Sequence, residues 1–337
     1  MLDVPMPGPR PEVDGEPALC HELNRRGVPF AHQHTTSMFE QLLAVMAPVL
    51  VSVAIGYGWV RSGHQFPISF VSTLCLNIGT PCLILSSLAQ THLTFQLFMK
   101  MAAGTFGTIL VLGVVGIAFC KAKRIEWRSF VPALIFPNTG NMGLPISLFA
   151  FGQAGFGYAV AINVSVSIVQ FGLSAIMGAE RPLMALLKTP TIHAIWISLV
   201  LIFFQIPLPL WIENSTHLLG NLTIPLMLIT LGVALATIRS NNLLAGAVFS
   251  LLRLAIVVPI SLGVGWLAGL SGSLLVQLML QMSMPVAVYT YMFALKAQRS
   301  PELAASRVFA STLMSLVYLP IMLAMILALL PSTNVGH

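Results

Sequence analysis

The sequence predicts an all-α polytopic membrane protein of about ten transmembrane helices. Composition is the first reason: 57% of its 337 residues are hydrophobic, 8% are charged, and the mean hydropathy is +0.90. A soluble chain keeps roughly a quarter of its residues charged, so this one cannot cover a surface that faces water. The second reason is that the apolar stretches run unbroken for about twenty residues, the length of a helix that spans the hydrocarbon. Barrel strands would alternate apolar and polar positions instead. The third is the spacing of the basic residues, which recur in alternate loops.

Residues 1–40 stand apart. They carry Asp3, Glu12, Asp14, Glu16 and Glu22 among several prolines and no apolar run. The segment reads as a disordered tail and not as a signal peptide, which would need an apolar core. Met38 is a candidate start, because the first apolar span follows it directly. His32 and His34 read as incidental rather than as metal ligands. The spans are expected at 42–60, 67–90, 98–120, 129–150, 156–178, 191–209, 216–237, 244–268, 273–296 and 304–330. The first loop has Arg61. The third has Lys121, Lys123, Arg124 and Arg128, and the fifth has Arg181 and Lys188. The seventh has Arg239, and the ninth has Lys296 and Arg299 with Arg307 just beyond. Even-numbered loops carry no basic residue. By the positive-inside rule, odd loops face the cytoplasm and both termini lie outside, as expected for a plasma membrane protein. The net charge of +6 therefore signals topology, not nucleic acid. Cys20, Cys75, Cys82 and Cys120 lack metal-ligand spacing and imply no disulfide framework.

A two-fold repeat is legible. Asn77-Ile-Gly-Thr-Pro81 in the second span matches Asn221-Leu-Thr-Ile-Pro225 in the seventh, with the prolines 144 residues apart. Pro145 in the fourth span and Pro285 in the ninth are 140 apart. Two matched pairs on spans n and n+5 predict two halves, residues 41–190 and 191–331, each of five helices. Five is odd, so the second half enters from the opposite side, an inverted repeat recurrent in secondary transporters.

The chemistry is expected at the interrupted spans. Pro137-Asn138-Thr139-Gly140-Asn141-Met142-Gly143-Leu144-Pro145 cannot be an ordinary helix interior, since proline removes a donor and clashes with the preceding turn. Freed backbone groups in hydrocarbon cost several kcal/mol each unless satisfied, so such a break marks a polar cavity or packs against protein. The ninth span carries Gln277, Gln281, Ser283, Pro285, Tyr289, Thr290 and Tyr291. Alone, Pro285 is an ordinary kink; its repeat relation to Pro145 raises it. Two breaks near the midplane would aim two half-helix N-termini inward, each with free N–H groups and about half a positive charge. That pair suits an anion without a basic side chain. Asn138, Asn141, Gln281 and Ser283 are candidate donors, and a carboxylate is the expected ligand.

Other residues narrow the reading. The aspartates lie in the tail, and every glutamate lies in the tail, a loop or a span end. No midplane carboxylate supports proton or sodium coupling, although backbone, Asn, Thr and Ser oxygens remain open to Na⁺. No cofactor or metal is expected. Arg253 falls inside the eighth span; the favoured reading has it snorkelling to the interface, the other an intramembrane functional cation. Gly269-Leu-Ser271-Gly272 matches an intramembrane serine protease motif, but every histidine falls in the tail, a loop or a span end, and no ATPase or metalloprotease motif occurs. The chain reads as a carrier and not an enzyme, with a ligand-binding sensor or channel-like module as the alternative.

The stretch Pro137 to Ile146, with Asn77…Pro81 and Asn221…Pro225, resembles the auxin efflux carrier family over about residues 40–330. The resemblance implies ten helices in two inverted repeats, like the bile acid:sodium symporter fold, with broken fourth and ninth helices crossing at the substrate site. It implies elevator-type alternating access and organic-anion substrates, auxin in plants and small carboxylates such as malate or malonate in bacteria. Carried onto this chain, the crossover is Asn138 to Pro145 and Met282 to Val286. The substrate-binding set is then Asn138, Thr139, Gly140, Asn141, Gly143, Pro145, Gln281, Ser283 and Pro285, with Asn77 and Asn221. Met282 and Met284 depart from the small or polar residues common around that proline. The short loop after the fifth span resembles a bacterial inner-membrane permease. The implied partners are a small organic anion and the bilayer, with a homodimer left open.

Overall fold

A computed structural model describes residues 38–90, 94–178, 190–204, 206–237, 243–288, 290–291, 294 and 301–329. The N-terminal tail with His32 and His34, the loop cations Arg181, Lys188, Arg239, Lys296 and Arg299, and Tyr289 lie outside the described residues. Among those described, regular structure is helical. The elements are α1 (Met38–Arg61), α2 (Ile68–Leu74) running through a π-helical turn (Cys75–Gly79) into α3 (Thr80–Gln90), α4 (Phe95–Lys123) and α5 (Trp127–Ile135). A second π turn (Thr139–Gly143) leads into α6 (Leu144–Gly178). Then follow α7 (Pro190–Phe204), α8 (Leu210–Thr237), α9 (Leu243–Leu267), α10 (Gly272–Met282) and α11 (Pro301–Leu329). Among the described residues, seven helical stretches are long and apolar enough to cross a membrane, and Pro190–Leu201 and Gly272–Met282 are shorter apolar helices. The chain is a multi-pass membrane protein.

One element differs from expectation. The loop expected between the fourth and fifth spans is replaced by a kink at Gly152, whose φ of 62° and ψ of −159° interrupt α6. Glycine adopts that backbone without a Cβ clash, so a single residue does the work of a loop. The ninth span, expected to break at Pro285, does so: α10 stops at Met282, and helix is next described at Thr290.

Both π turns have the same cause. Pro81 and Pro145 lack the N–H that would bond the carbonyl four residues back, at Asn77 and Asn141. Just before each proline the ladder widens by one residue, with the Thr80 N–H donating to the Cys75 carbonyl and the Leu144 N–H to that of Thr139. A π bulge of this kind is a frequent companion of functional sites. Pro225 sits inside a continuous α8.

Helix packing sorts the chain into two groups, and each group draws on both halves of the sequence. In one, α8 packs against α1, α2 and α3, and α7 packs on α3. Backbones meet directly there: a Cβ at Gly56 would strike the Ile229 carbonyl, and one at Gly232 the Val53 carbonyl. Such contact substitutes for hydrophobic drive, which is absent between helices in lipid. In the other group, α9 packs on α11, α10 and α4, and α4 packs on α5 and α6. The two groups touch through α6 against α1 and α3, the second π turn against α8, and α11 against α1.

Candidate functional site

The interruptions of the fourth and ninth spans meet. Pro137 and Val286 form an isolated antiparallel bridge. The Asn138 N–H donates to the Pro285 carbonyl at 2.7 Å, and the Ala287 N–H to the Phe136 carbonyl at 3.1 Å. Two extended segments thus cross inside a helical protein. Their backbone groups are satisfied nearly one by one, as hydrocarbon requires. The Val286 N–H donates to Ser311 Oγ at 3.0 Å, and Tyr318 Oη donates to the Ser283 carbonyl at 2.7 Å. Arg253 serves three more carbonyls: Nε to Leu134 at 3.2 Å, Nη1 to Met284 at 2.7 Å and Nη2 to Met282 at 3.0 Å. Arg253 is only 2% exposed. The snorkelling expectation is therefore wrong; the side chain points into the protein because three uncapped carbonyls are there to receive it. Arg307, read as a loop cation, is also buried, where it donates to the Ser129 carbonyl at 2.8 Å and lies over the rings of Phe130 and Phe249. Half-helix α5 is thus held by an arginine at each end.

The predicted site residues divide into three sets. Asn138, Thr139, Gly140, Asn141, Ser283 and Pro285 are at the crossing. Thr139 Oγ1 donates to Asn163 Oδ1 at 2.8 Å, and Gly140 lies beside that same oxygen. Asn141 is half-exposed, the most accessible polar side chain of the turn.

Gly143, Gln281 and Pro145 form the seam behind it. Gln281 Nε2 donates to the Gly143 carbonyl at 2.8 Å and to Ser147 Oγ at 2.7 Å. Ser147 Oγ donates on to Gln277 Oε1 at 3.0 Å, and Gln277 Nε2 to the Gly155 carbonyl at 3.0 Å. This buried amide chain binds α10 to α6. Asn77 and Asn221 are exposed, with Asn221 against the His217 ring. Their segments do meet: Gly79 packs on Thr223 and Gly220 on Leu83.

Two buried polar atoms at the crossing, Asn138 Nδ2 and Ser283 Oγ, have no hydrogen-bond partner among the described residues, and neither has Gln281 Oε1 in the seam behind it. Native structures rarely leave such atoms unpaired without a reason. Beside them the first N–H groups of the Thr139 turn have no intrahelical acceptor and carry the positive end of the α6 dipole. Donors therefore concentrate where two chains cross in an apolar interior. Asn163, Ser311 and Tyr318 are hydrogen-bonding neighbours of the crossing that the motifs did not reveal; the amide of Asn163 within an apolar span was its available signal. Ser271, the candidate protease nucleophile, caps the start of α10 and is exposed. Among the described residues no three His, Cys, Asp or Glu side chains form a metal-binding group.

A polytopic chain with two broken helices crossing over unpaired polar groups is built as a membrane transporter. The model of a family described as "Membrane transport protein" matches residues 42–185 and 179–323. The chain belongs to this family, the auxin efflux carrier family of transporters rather than enzymes. It is 23% identical over 295 residues to an uncharacterized transporter of Methanocaldococcus jannaschii, covering 81% of this chain and 95% of the relative. It is 28% identical over 291 residues to one of Methanothermobacter thermautotrophicus, covering 81% and 94%.

Proposed function

We propose that the protein is a secondary carrier that moves a small organic anion, a carboxylate, across the plasma membrane by alternating access at this crossover. The observation that carries this is the cluster of unpaired buried donors, Asn138 Nδ2 and Ser283 Oγ, beside the amide end of α6. Carboxylate oxygens accept hydrogen bonds without donating, so they complement that set. Asn141, partly open, supplies a further amide at the approach. The packing of the helices into two groups supports an elevator movement: the group holding the crossing would carry substrate past α1, α2, α3, α7 and α8. The matched prolines support an inverted repeat with both termini outside.

The described acidic residues are Glu40, Glu126, Glu213 and Glu302, and none is buried within a span. Carboxylate-mediated proton or sodium coupling has no support from them.

Counterflow in proteoliposomes against dicarboxylates, monocarboxylates and indole acids tests the proposal, with sodium and pH varied in the same assay. Saturable counterflow of at least one carboxylate is expected, falling at least tenfold in Asn141→Ala. Anion binding in detergent with no counterflow would instead identify a sensor and end the carrier reading.

A further inference from the structure

We propose that Arg253 is the residue that makes the crossover select for negative charge, by cancelling the electronegative half-helix ends that converge there. Two chain segments end as helices at the crossing, α5 at Ile135 and α10 at Met282. A helix C-terminus carries about half a negative charge, so the pair brings about −1 to the middle of the protein. Opposite them the amide ends of the Thr139 turn and of the turns that resume by Thr290 bring about +0.5 each. Left alone, the carbonyl ends cancel the amide ends, and an anion meets no net attraction.

Arg253 tips that balance. It bonds Leu134 in the last turn of α5, Met282 at the end of α10 and Met284 just past it. One guanidinium, with donors fixed in a planar fork, reaches carbonyls on both broken spans at once. Its unit charge offsets the two ends together. Among the described residues no carboxylate approaches it, so the charge is not spent on an ion pair. Its desolvation is met by carbonyl dipoles alone, and what remains at the crossing is the amide ends with their unpaired donors. Arg253 acts through the helix ends and touches no orphaned donor, so it is a positioning residue.

The inference rests on the crossover being the substrate site, but its test needs no substrate. In full-length protein with Cys20, Cys75, Cys82 and Cys120 replaced by serine, Asn141→Cys places a thiol at the accessible edge of the turn. The rates of its modification by sulfonatoethyl and by trimethylammonioethyl methanethiosulfonate are compared in proteoliposomes. Their ratio reads the local potential. The anionic reagent is expected to be favoured with Arg253 in place, and the ratio to fall at least tenfold in Arg253→Gln while Arg253→Lys keeps it within threefold. A merely structural role would move both rates together. A ratio unchanged in Arg253→Gln, or lost equally in Arg253→Lys, overturns the proposal. Should Arg253→Gln not accumulate, Arg253→Met takes its place, and the lysine variant alone remains decisive against it. Failed counterflow with an intact ratio would sink the transport reading and leave this one standing.

Discussion

Replacing Gly143 by alanine tests whether the π turn and Gln281 behave as one unit. A Cβ at Gly143 would run into Gln281 Oε1, and would stand 2.9 Å from its Cδ and 3.1 Å from its Nε2. The clash is with the end of a flexible side chain, so steric strain alone does not fix the cost. What fixes it is where the amide can go. Gln281 is 0% exposed, and swinging it aside gives up its bonds to the Gly143 carbonyl and Ser147. Each neutral hydrogen bond contributes about 1 kcal/mol net, so two losses cost about 2 kcal/mol. Alanine recovers up to about 1 kcal/mol of helix propensity over glycine. The net destabilisation is about 1–2 kcal/mol, to be read by thermal unfolding of purified protein in detergent. The decisive arm is a double-mutant cycle with Gln281→Ala. Once the glutamine is truncated there is nothing to displace, and Gly143→Ala should cost nothing or stabilise slightly. An equal cost in both backgrounds would refute the coupling between π turn and amide.

Other outcomes follow from the same geometry. Gly56→Ala meets the Ile229 carbonyl, backbone that cannot rotate away; it should cost about 3 kcal/mol or more, seen as loss of folded protein by size-exclusion fluorescence. Ser311→Ala leaves the Val286 N–H without its acceptor and should lower stability by about 1–2 kcal/mol in the same unfolding assay. Asn138→Ala and Ser283→Ala remove atoms that have no protein partner. They should leave thermal stability unchanged or raised, yet weaken carboxylate binding about tenfold, the worth of one hydrogen bond; a fall in stability without a fall in affinity would assign them to structure alone.

Much of this was legible from residue patterns. Apolar runs placed α1, α4, α8, α9 and α11 within a few residues of their observed ends, because lipid demands continuous apolar length. The density of Pro, Gly and Asn in Pro137–Pro145 announced the break, since no helix interior tolerates it. At Gly152 the place of the break was legible but its form was not: a loop was expected over 151–155, where one glycine with positive φ turns the chain. Nor was the partner of Arg253. A charge in a span is visible in sequence, but carbonyls freed 119 and 31 residues away are not. Gln281 illustrates the same limit. Its polarity marked it as a candidate, while its commitment to Gly143 and Ser147 depends on how α10 lies on α6. Asn77 and Asn221 were picked by repeat logic, and the likeness is one of sequence: Pro81 follows a π turn, Pro225 sits inside a continuous helix, and both asparagines are exposed.

The most direct test of the central claim is substrate protection at the crossing. Protection of a single thiol would be ambiguous, so Asn138→Cys and Asn141→Cys, each in the protein with its native cysteines replaced by serine, are modified separately in proteoliposomes, with and without a carboxylate that undergoes counterflow. The account predicts that the transported carboxylate slows modification at both positions with a half-effect near its own transport KM, while a non-transported anion of equal charge does not. Full counterflow with both thiols unprotected would contradict it.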